Sequence, residues 1–118
     1  MAGSLTGALY IELESAVLEQ LAQGDVRIEQ VAPRLGMSVR TLQRRLKDRG
    51  LEYQGLLDTI RQRLATELLR NRLISIKELC YRLGFSEPSA FRRAFKRWTG
   101  QSPSAYRQAS PVSLRSMI

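Results

Sequence analysis

The strongest constraint on this chain is that its sequence states one pattern twice. Val31, Ala32, Leu35, Gly36, Met37, Ser38, Leu42, Leu46, Lys47 and Gly50 have counterparts in Leu79, Cys80, Leu83, Gly84, Phe85, Ser86, Phe91, Phe95, Lys96 and Gly100. The spacing is 48 residues from Val31 to Leu79 and 50 from Gly50 to Gly100, so both copies share a skeleton with small insertions. Self-similarity of this kind signals a repeated supersecondary unit. Each copy reads as a helix, a turn around glycine and a second helix capped by serine, the layout of a helix-turn-helix. The glycine permits a left-handed turn, and a small residue, Ala32 or Cys80, lets the two helices approach closely. A plain bundle with a duplicated hairpin would share this skeleton; the positions of the charges separate the two readings.

Apolar residues recur at three and four almost throughout, without sustained alternation or an Asn-Gly hairpin signal. The expected fold is all-α, with about seven helices forming two helix-turn-helix subdomains joined by a long central helix. Met1 to Ser4 read as a cloning remnant, outside the fold argument. A first helix from Thr6 to Gln23 turns Leu9, Leu13, Ala16, Val17 and Leu21 inward and ends at Gly24. A second covers Val26 to Leu35. Ser38 caps a third that runs to Arg49. Tyr53 to Arg72 forms the central strut, with Leu56, Leu57, Ile60, Leu64, Leu68 and Leu69 on one broad face. Ser75 caps a helix to Leu83 with Glu78 at the capping-box position, and Ser86 caps the next, ending near Trp98. Ser102 and Pro103 open a last helix to about Gln108. These elements define a domain over 5–109, its first helix-turn-helix about 26–50 and its second about 75–98. From Ser110 to Ile118 the few apolar residues give a flexible tail, frayed or ordered only by a partner.

Charge indicates what the domain meets. Nineteen Lys and Arg against eleven Asp and Glu give a net charge of +8, a balance that attracts polyanions. Nine of those nineteen basic residues fall in the windows Ser38–Arg49 and Ser86–Arg97, a fifth of the chain. On a wheel of roughly 100° per residue, Val39, Leu42 and Leu46 share one side, with Arg40, Gln43, Arg44 and Lys47 opposite. In the second copy Phe91, Ala94, Phe95 and Trp98 face inward, and Ser89, Arg92, Arg93 and Lys96 outward. The major groove admits one helix, where guanine presents acceptors to Arg and Lys, and adenine a paired donor and acceptor to Gln. Arg40, Gln43, Arg44, Arg92 and Arg93 carry that chemistry, and Ser89 contacts either a base or a phosphate. Arg45, Lys47, Arg49, Lys96 and Arg97 lie further round or nearer the helix ends. With Ser38 and Ser86 at the helix starts, they are assigned to DNA phosphates. A strut of about twenty residues is roughly 30 Å long, near the ~34 Å repeat of the major groove, so one monomer could read two adjacent turns of double-stranded DNA.

Other classes fit less well. There is no His, and the single Cys80 lies on the inner side of a short helix. That leaves no visible nucleophile and base, so no enzyme, and neither a Cys/His metal site nor a cofactor is expected. No run approaches the ~18 apolar residues of a membrane span, and the chain reads as cytoplasmic. Membrane-surface helices would mix exposed large apolar residues with the basic face, and single-stranded RNA readers would expose aromatics. Neither pattern is present. A protein-interaction bundle would not need arginine and other donors at the same two repeat positions.

The stretch Ile76 to Arg107, with its Leu-Gly-Phe-Ser, Ala-Phe-Arg-Arg-Ala-Phe-Lys-Arg-Trp-Thr-Gly and Ser-Pro-Ser-Ala-Tyr-Arg, closely resembles the signature of AraC/XylS-type transcription regulators. The first copy, Leu-Gly-Met-Ser-Val-Arg-Thr-Leu-Gln-Arg-Arg-Leu, is similar to that family's pattern, and the likeness extends over about Leu9 to Arg107. The resemblance implies a seven-helix bipartite DNA-binding domain whose third and sixth helices enter adjacent major grooves of promoter DNA. It also implies base reading by Arg40, Gln43 and Arg44 and by Ser89, Arg92 and Arg93. It further implies an effector-binding or dimerisation domain in a missing N-terminal part, and activation through RNA polymerase as the common output. Two departures fall in the first copy. Pro33 interrupts the backbone hydrogen bonding of the second helix, and Arg27 stands where Ser75 caps the repeat. The first unit therefore either begins earlier, capped by Asp25, or meets DNA differently.

Overall fold

The computed structural model describes the backbone of residues 2–110 and the side chains of residues 8–110. Over these residues the chain forms seven α-helices, one 3-10 turn and no strand. The helices are α1 (Ala2–Gln23), α2 (Ile28–Val31), α3 (Val39–Lys47), α4 (Tyr53–Leu69), α5 (Ile76–Arg82), α6 (Pro88–Thr99) and α7 (Pro103–Ala109). The chain divides into two compact units, with the boundary between Ile60 and Arg61 inside α4. Among the described residues no helix is long and apolar enough to cross a membrane.

In the first unit, the five α1 residues expected inward, Leu9, Leu13, Ala16, Val17 and Leu21, are all buried, as are Val31, Ala32, Leu42, Leu46, Leu57 and Ile60. The second helix differs from expectation. Only Ile28–Val31 is α-helical, and the chain tightens into a 3-10 turn over Ala32–Leu35. Pro33 is the physical reason: it has no N–H for an α-helical bond, and its ring crowds the carbonyl one turn back. Asp25 does not cap this helix. The N-cap is Arg27, whose side chain makes no capping bond. The Asp25 carboxylate instead accepts the Arg27 amide at 3.1 Å and its guanidinium at 2.8 Å, and that guanidinium holds the carboxyl below its ordinary range. Buried Gln20 ties this segment to α1: its Nε2 donates to the Asp25 carbonyl at 2.7 Å, and its Oε1 accepts from Arg34. Arg34 also pairs with Glu19 at 2.5 Å.

The second unit is built on Ala65, Leu69, Ile74, Leu79, Cys80, Leu83, Phe91 and Phe95, with Phe85, Trp98 and Tyr106 packed against them. Ring centroids lie 5.5 Å apart for Phe85–Phe91 and 5.4 Å for Phe95–Tyr106, within the range for favourable tilted and edge contacts. Ser75 caps α5 as expected, its Oγ accepting the Glu78 amide at 3.0 Å. The Glu78 carboxylate does not complete the capping box but reaches Arg82 one turn on, at 3.5 Å. Ser86 is not the cap of α6. Glu87 holds that place in extended conformation, and Pro88 starts the helix, because proline presets helical φ while forcing the residue before it out of the helical region. α4 stops at Leu69, short of Arg72. Ser110, expected to fray, is held: its Oγ donates to the Tyr106 carbonyl at 2.8 Å. Met1 and residues 111–118, parts of the expected remnant and tail, lie outside the described residues, and α1 begins at Ala2 rather than Thr6.

Candidate nucleic-acid interface

Each copy's glycine turn fixes how its second helix leaves the first. Gly36 and Gly84 have φ of 68° and 82°, a left-handed conformation that costs an L-residue with a Cβ roughly 1–2 kcal/mol. The Gly36 amide bonds to the Pro33 carbonyl at 2.9 Å and that of Gly84 to the Tyr81 carbonyl at 3.0 Å, closing equivalent turns.

Beyond the first turn, Ser38 caps α3 by accepting the Thr41 amide at 3.1 Å. Leu42 and Leu46 are 0% and 1% exposed, so the inner face is locked and the opposite face has no rotational freedom. That outer face carries Arg40, Gln43, Arg44 and Lys47, all exposed, with exposed Arg45 on its flank. In α6 Phe91 and Phe95 are both fully buried and Ala94 nearly so, while Arg92, Arg93, Lys96 and Arg97 are exposed and Ser89 half-buried. Both expected faces are therefore present, one in each unit. Ser86 lies exposed in the turn before α6 rather than on it. Arg49 is half-buried and donates to the Arg45 carbonyl at 2.9 Å, closing the end of α3, so part of its hydrogen-bonding capacity is used inside the fold.

The electrostatics of the two faces are unlike those of the rest of the chain. Neither α3 nor α6 contains an acidic residue. Arg40 and Arg44, Arg92 and Lys96, and Arg93 and Arg97 are four apart, a like-charge spacing that destabilises an isolated helix by about 0.2–0.5 kcal/mol per pair. Among the described residues, the side chains of Arg40, Gln43, Arg44, Lys47, Arg92, Arg93, Lys96 and Arg97 make no hydrogen bond or ion pair. Elsewhere several arginines are committed to the fold: Arg27 to Asp25, Arg34 to Glu19, Arg82 to Glu78, and Arg107 to the carbonyls of Leu69 and Asn71. A helix that accepts self-repulsion on its outer face, with no partner in its own fold, is built to meet external negative charge.

Sequence reasoning missed one feature. A cleft of about 280 Å³ adjoins α6, lined by Ile76, Lys77, Pro88, Arg92, Pro103 and Ser104. Lys77 gave no helical-wheel signal because it belongs to α5, and only the fold brings it to the same cleft as Arg92. Among the described residues no group of three or more His, Cys, Asp or Glu could hold a metal. Cys80 is fully buried, and burial pushes its thiol up.

Comparison with known proteins bears on these faces. A family model described as a helix-turn-helix domain matches residues 31–109. The ornithine utilization regulator of Pseudomonas aeruginosa is 45% identical over 82 residues, which are 70% of this chain and 24% of that protein. The DNA-binding domain of AdpA, a global transcriptional factor crystallised with a target DNA, superposes with a TM-score of 0.70 at 37% identity, covering 85% of this chain and 90% of that one. The C-terminal domain of AraT, a response regulator from Geobacillus stearothermophilus, gives a TM-score of 0.74 at 31% identity, covering 89% and 88%. The chain spans about a quarter of the length of curated relatives such as the ornithine regulator.

Proposed function

Because the chain belongs to the AraC/XylS-type family of helix-turn-helix transcription regulators, we propose that α3 and α6 are its two recognition helices, entering adjacent major grooves of promoter DNA. The chain is a DNA-binding regulator domain and not an enzyme. Base edges are read by Arg40, Gln43 and Arg44 from α3 and by Ser89 and Arg93 from α6, the residue types that match guanine and adenine in the major groove, with Arg92 exposed on the same face and bordering the adjoining cleft. Lys47, Arg45, Lys96 and Arg97, with Arg49, Ser38 and Ser86 at the margins, contact phosphates and set the register. The observation that carries this reading is the occurrence, in both copies, of a partnerless basic face opposite a fully buried apolar one. The solved complex of the AdpA domain with its target DNA supports DNA as the ligand.

Promoter control through RNA polymerase and a cytoplasmic, nucleoid-associated location belong to the same reading. So does an effector-binding or dimerisation domain elsewhere in a longer chain, which the quarter-length match to the curated relatives supports. Selection of sites from random duplex DNA at near-physiological salt tests the core of it. An asymmetric site with two read segments about one helical turn apart is the expected result. A single short segment would confine base reading to one unit, and salt-sensitive binding without enrichment would overturn sequence-specific recognition by this chain.

A further inference from the structure

The cleft beside α6 has a counterpart in the first unit, and the difference between them is informative. There an open groove is lined by Ile28, Gln43, Leu46, Lys47, Leu51, Glu52, Tyr53 and Gln54. By the repeat, Ile28 corresponds to Ile76, Glu29 to Lys77 and Gln43 to Arg92. Glu29 does not line the first groove, which holds Lys47 together with Glu52, whereas Lys77 borders the second cleft, and the neutral Gln43 is replaced there by Arg92. The second cleft thus carries two exposed cations, Lys77 and Arg92, and the Ser104 hydroxyl around an apolar floor of Ile76, Pro88 and Pro103. Among the described residues neither cation has an internal partner. Two like charges bordering one pocket repel each other unless an anion lies between them.

Resting on the reading of α6 as a recognition helix, we infer that this cleft clamps a backbone phosphate of the bound DNA, with Lys77, Arg92 and Ser104 as its ligands. The shape and chemistry of the walls fit a nucleotide backbone. Ammonium and guanidinium donors meet the phosphate oxygens, the latter able to bind them through two N–H groups, and the deoxyribose packs on the half-buried Pro88 ring. The clamp lies against the reading helix, so it fixes the register of Ser89 and Arg93 against the bases. Arg92 is thereby a positioning contact more than a base reader, and the second cleft carries two cations and no acid where the first groove has Lys47 together with Glu52 and a neutral Gln43.

The test compares the 118-residue chain with Lys77→Ala, Arg92→Ala and Glu29→Ala on the selected duplex and on a scrambled one, across a salt series. Loss of one phosphate contact lowers the slope of log K against log salt by about 0.9 and weakens binding roughly 5- to 10-fold near 0.1 M salt. For Lys77→Ala and Arg92→Ala these losses are expected equally on both duplexes, with base preference kept. Glu29→Ala is expected to bind no more weakly than the parent. A walk of single neutral methylphosphonate linkages along the duplex should find one linkage that weakens the parent and leaves both cleft variants unaffected. Unchanged affinity and slope for Lys77→Ala, loss of discrimination at one base pair for Arg92→Ala, or the absence of a linkage shared by the two variants would each overturn the clamp. If the parent itself selects no site, the failure is that of the proposed function, while a parent that selects its site beside an inert Lys77→Ala condemns the clamp alone.

Discussion

Arg107 and Arg72 each close the carbonyl end of a helix from the other's neighbourhood. Arg107 of α7 donates to the carbonyls of Leu69 and Asn71 at the end of α4, at 2.8 and 3.2 Å. Arg72, just beyond α4, donates to the carbonyls of Arg107 and Ser110 at the end of α7, at 3.2 and 3.4 Å. Helix ends leave four carbonyls without intrahelical partners, and cations there also suit the helix dipole. Burial, and then the Arg72 charge, lowers the Arg107 pKa, from a value so high that the group stays charged. Hydrogen bonds to charged groups contribute about 1.5–3 kcal/mol, so Arg107→Ala is expected to cost about that much in urea unfolding, and Arg72→Ala, longer-bonded and more exposed, less. Lysine should not rescue Arg107, because a single ammonium lacks the planar fork that spans two carbonyls. Equal stability of Arg107→Ala and the parent would show these bonds to be energetically idle.

The reading faces should behave quite differently. Arg44→Ala or Arg93→Ala is expected to cost about 1–3 kcal/mol at the selected site and relax preference at one base position, with little change in thermal midpoint because both side chains are exposed. Titration of cognate and random duplexes checks this. Equal losses on both would move the residue to the phosphate contacts.

Phe95→Ala is expected to act through the core. Its ring is fully buried and contacts Phe91, Trp98 and Tyr106 at centroid separations of 5.7, 6.5 and 5.4 Å. Removing it should cost about 3–5 kcal/mol, measured by chemical denaturation. A variant that melts with the parent would mean that the rings repack over the gap.

Gly36→Ala isolates the turn. A Cβ at Gly36 would meet nothing within 4 Å, so the cost is conformational alone, about 1–2 kcal/mol. Gly36→Asn should lose less, since asparagine visits the left-handed region more readily. Thermal denaturation of the pair, compared with the parent, reads the difference. No penalty for alanine would indicate that the turn relaxes to negative φ.

The Cys80 thiol is fully buried and its pKa is raised by that burial, so at pH 8 it is a neutral thiol closed off from reagent, and the thiolate is the reactive form. Labelling by a thiol reagent should follow opening of the second unit and accelerate in Phe95→Ala. Fast, complete labelling of the folded parent would show the α5 packing to be loose.

Much of this protein was legible in its sequence because the determining interactions are short in range. The three-and-four spacing of Leu9, Leu13, Val17 and Leu21 specifies which face of α1 is buried, Ser38, Ser75 and Ser102 cap amides three residues ahead, and the repeated glycine turn sets out two equivalent modules. The arginine faces of α3 and α6 follow from the same arithmetic, since locking Leu42 or Phe91 inward leaves Arg44 or Arg93 facing out. Even the break at Pro33 was visible as a missing donor, although its outcome, a 3-10 turn, was not. Pro88 decided the start of α6 by steric restriction of Glu87, a local effect that outweighs the serine pattern at Ser86.

Tertiary structure decided what depends on residues distant in sequence. Arg34 and Arg44 are alike as letters, yet Arg34 is held by Gln20 and Glu19 from α1, whereas Arg44 has no such partner. Arg107 lies in the family-like motif, but its task, binding carbonyls 36 and 38 residues earlier, follows only from how α7 packs on the end of α4. Lys77 and Arg92 border one cleft for the same reason. Sequence determines the face a helix buries because periodicity is a property of the helix itself. Whether a charge on the other face is spent inside the protein or left for a ligand depends on which elements pack beside it, and only the folded chain determines that.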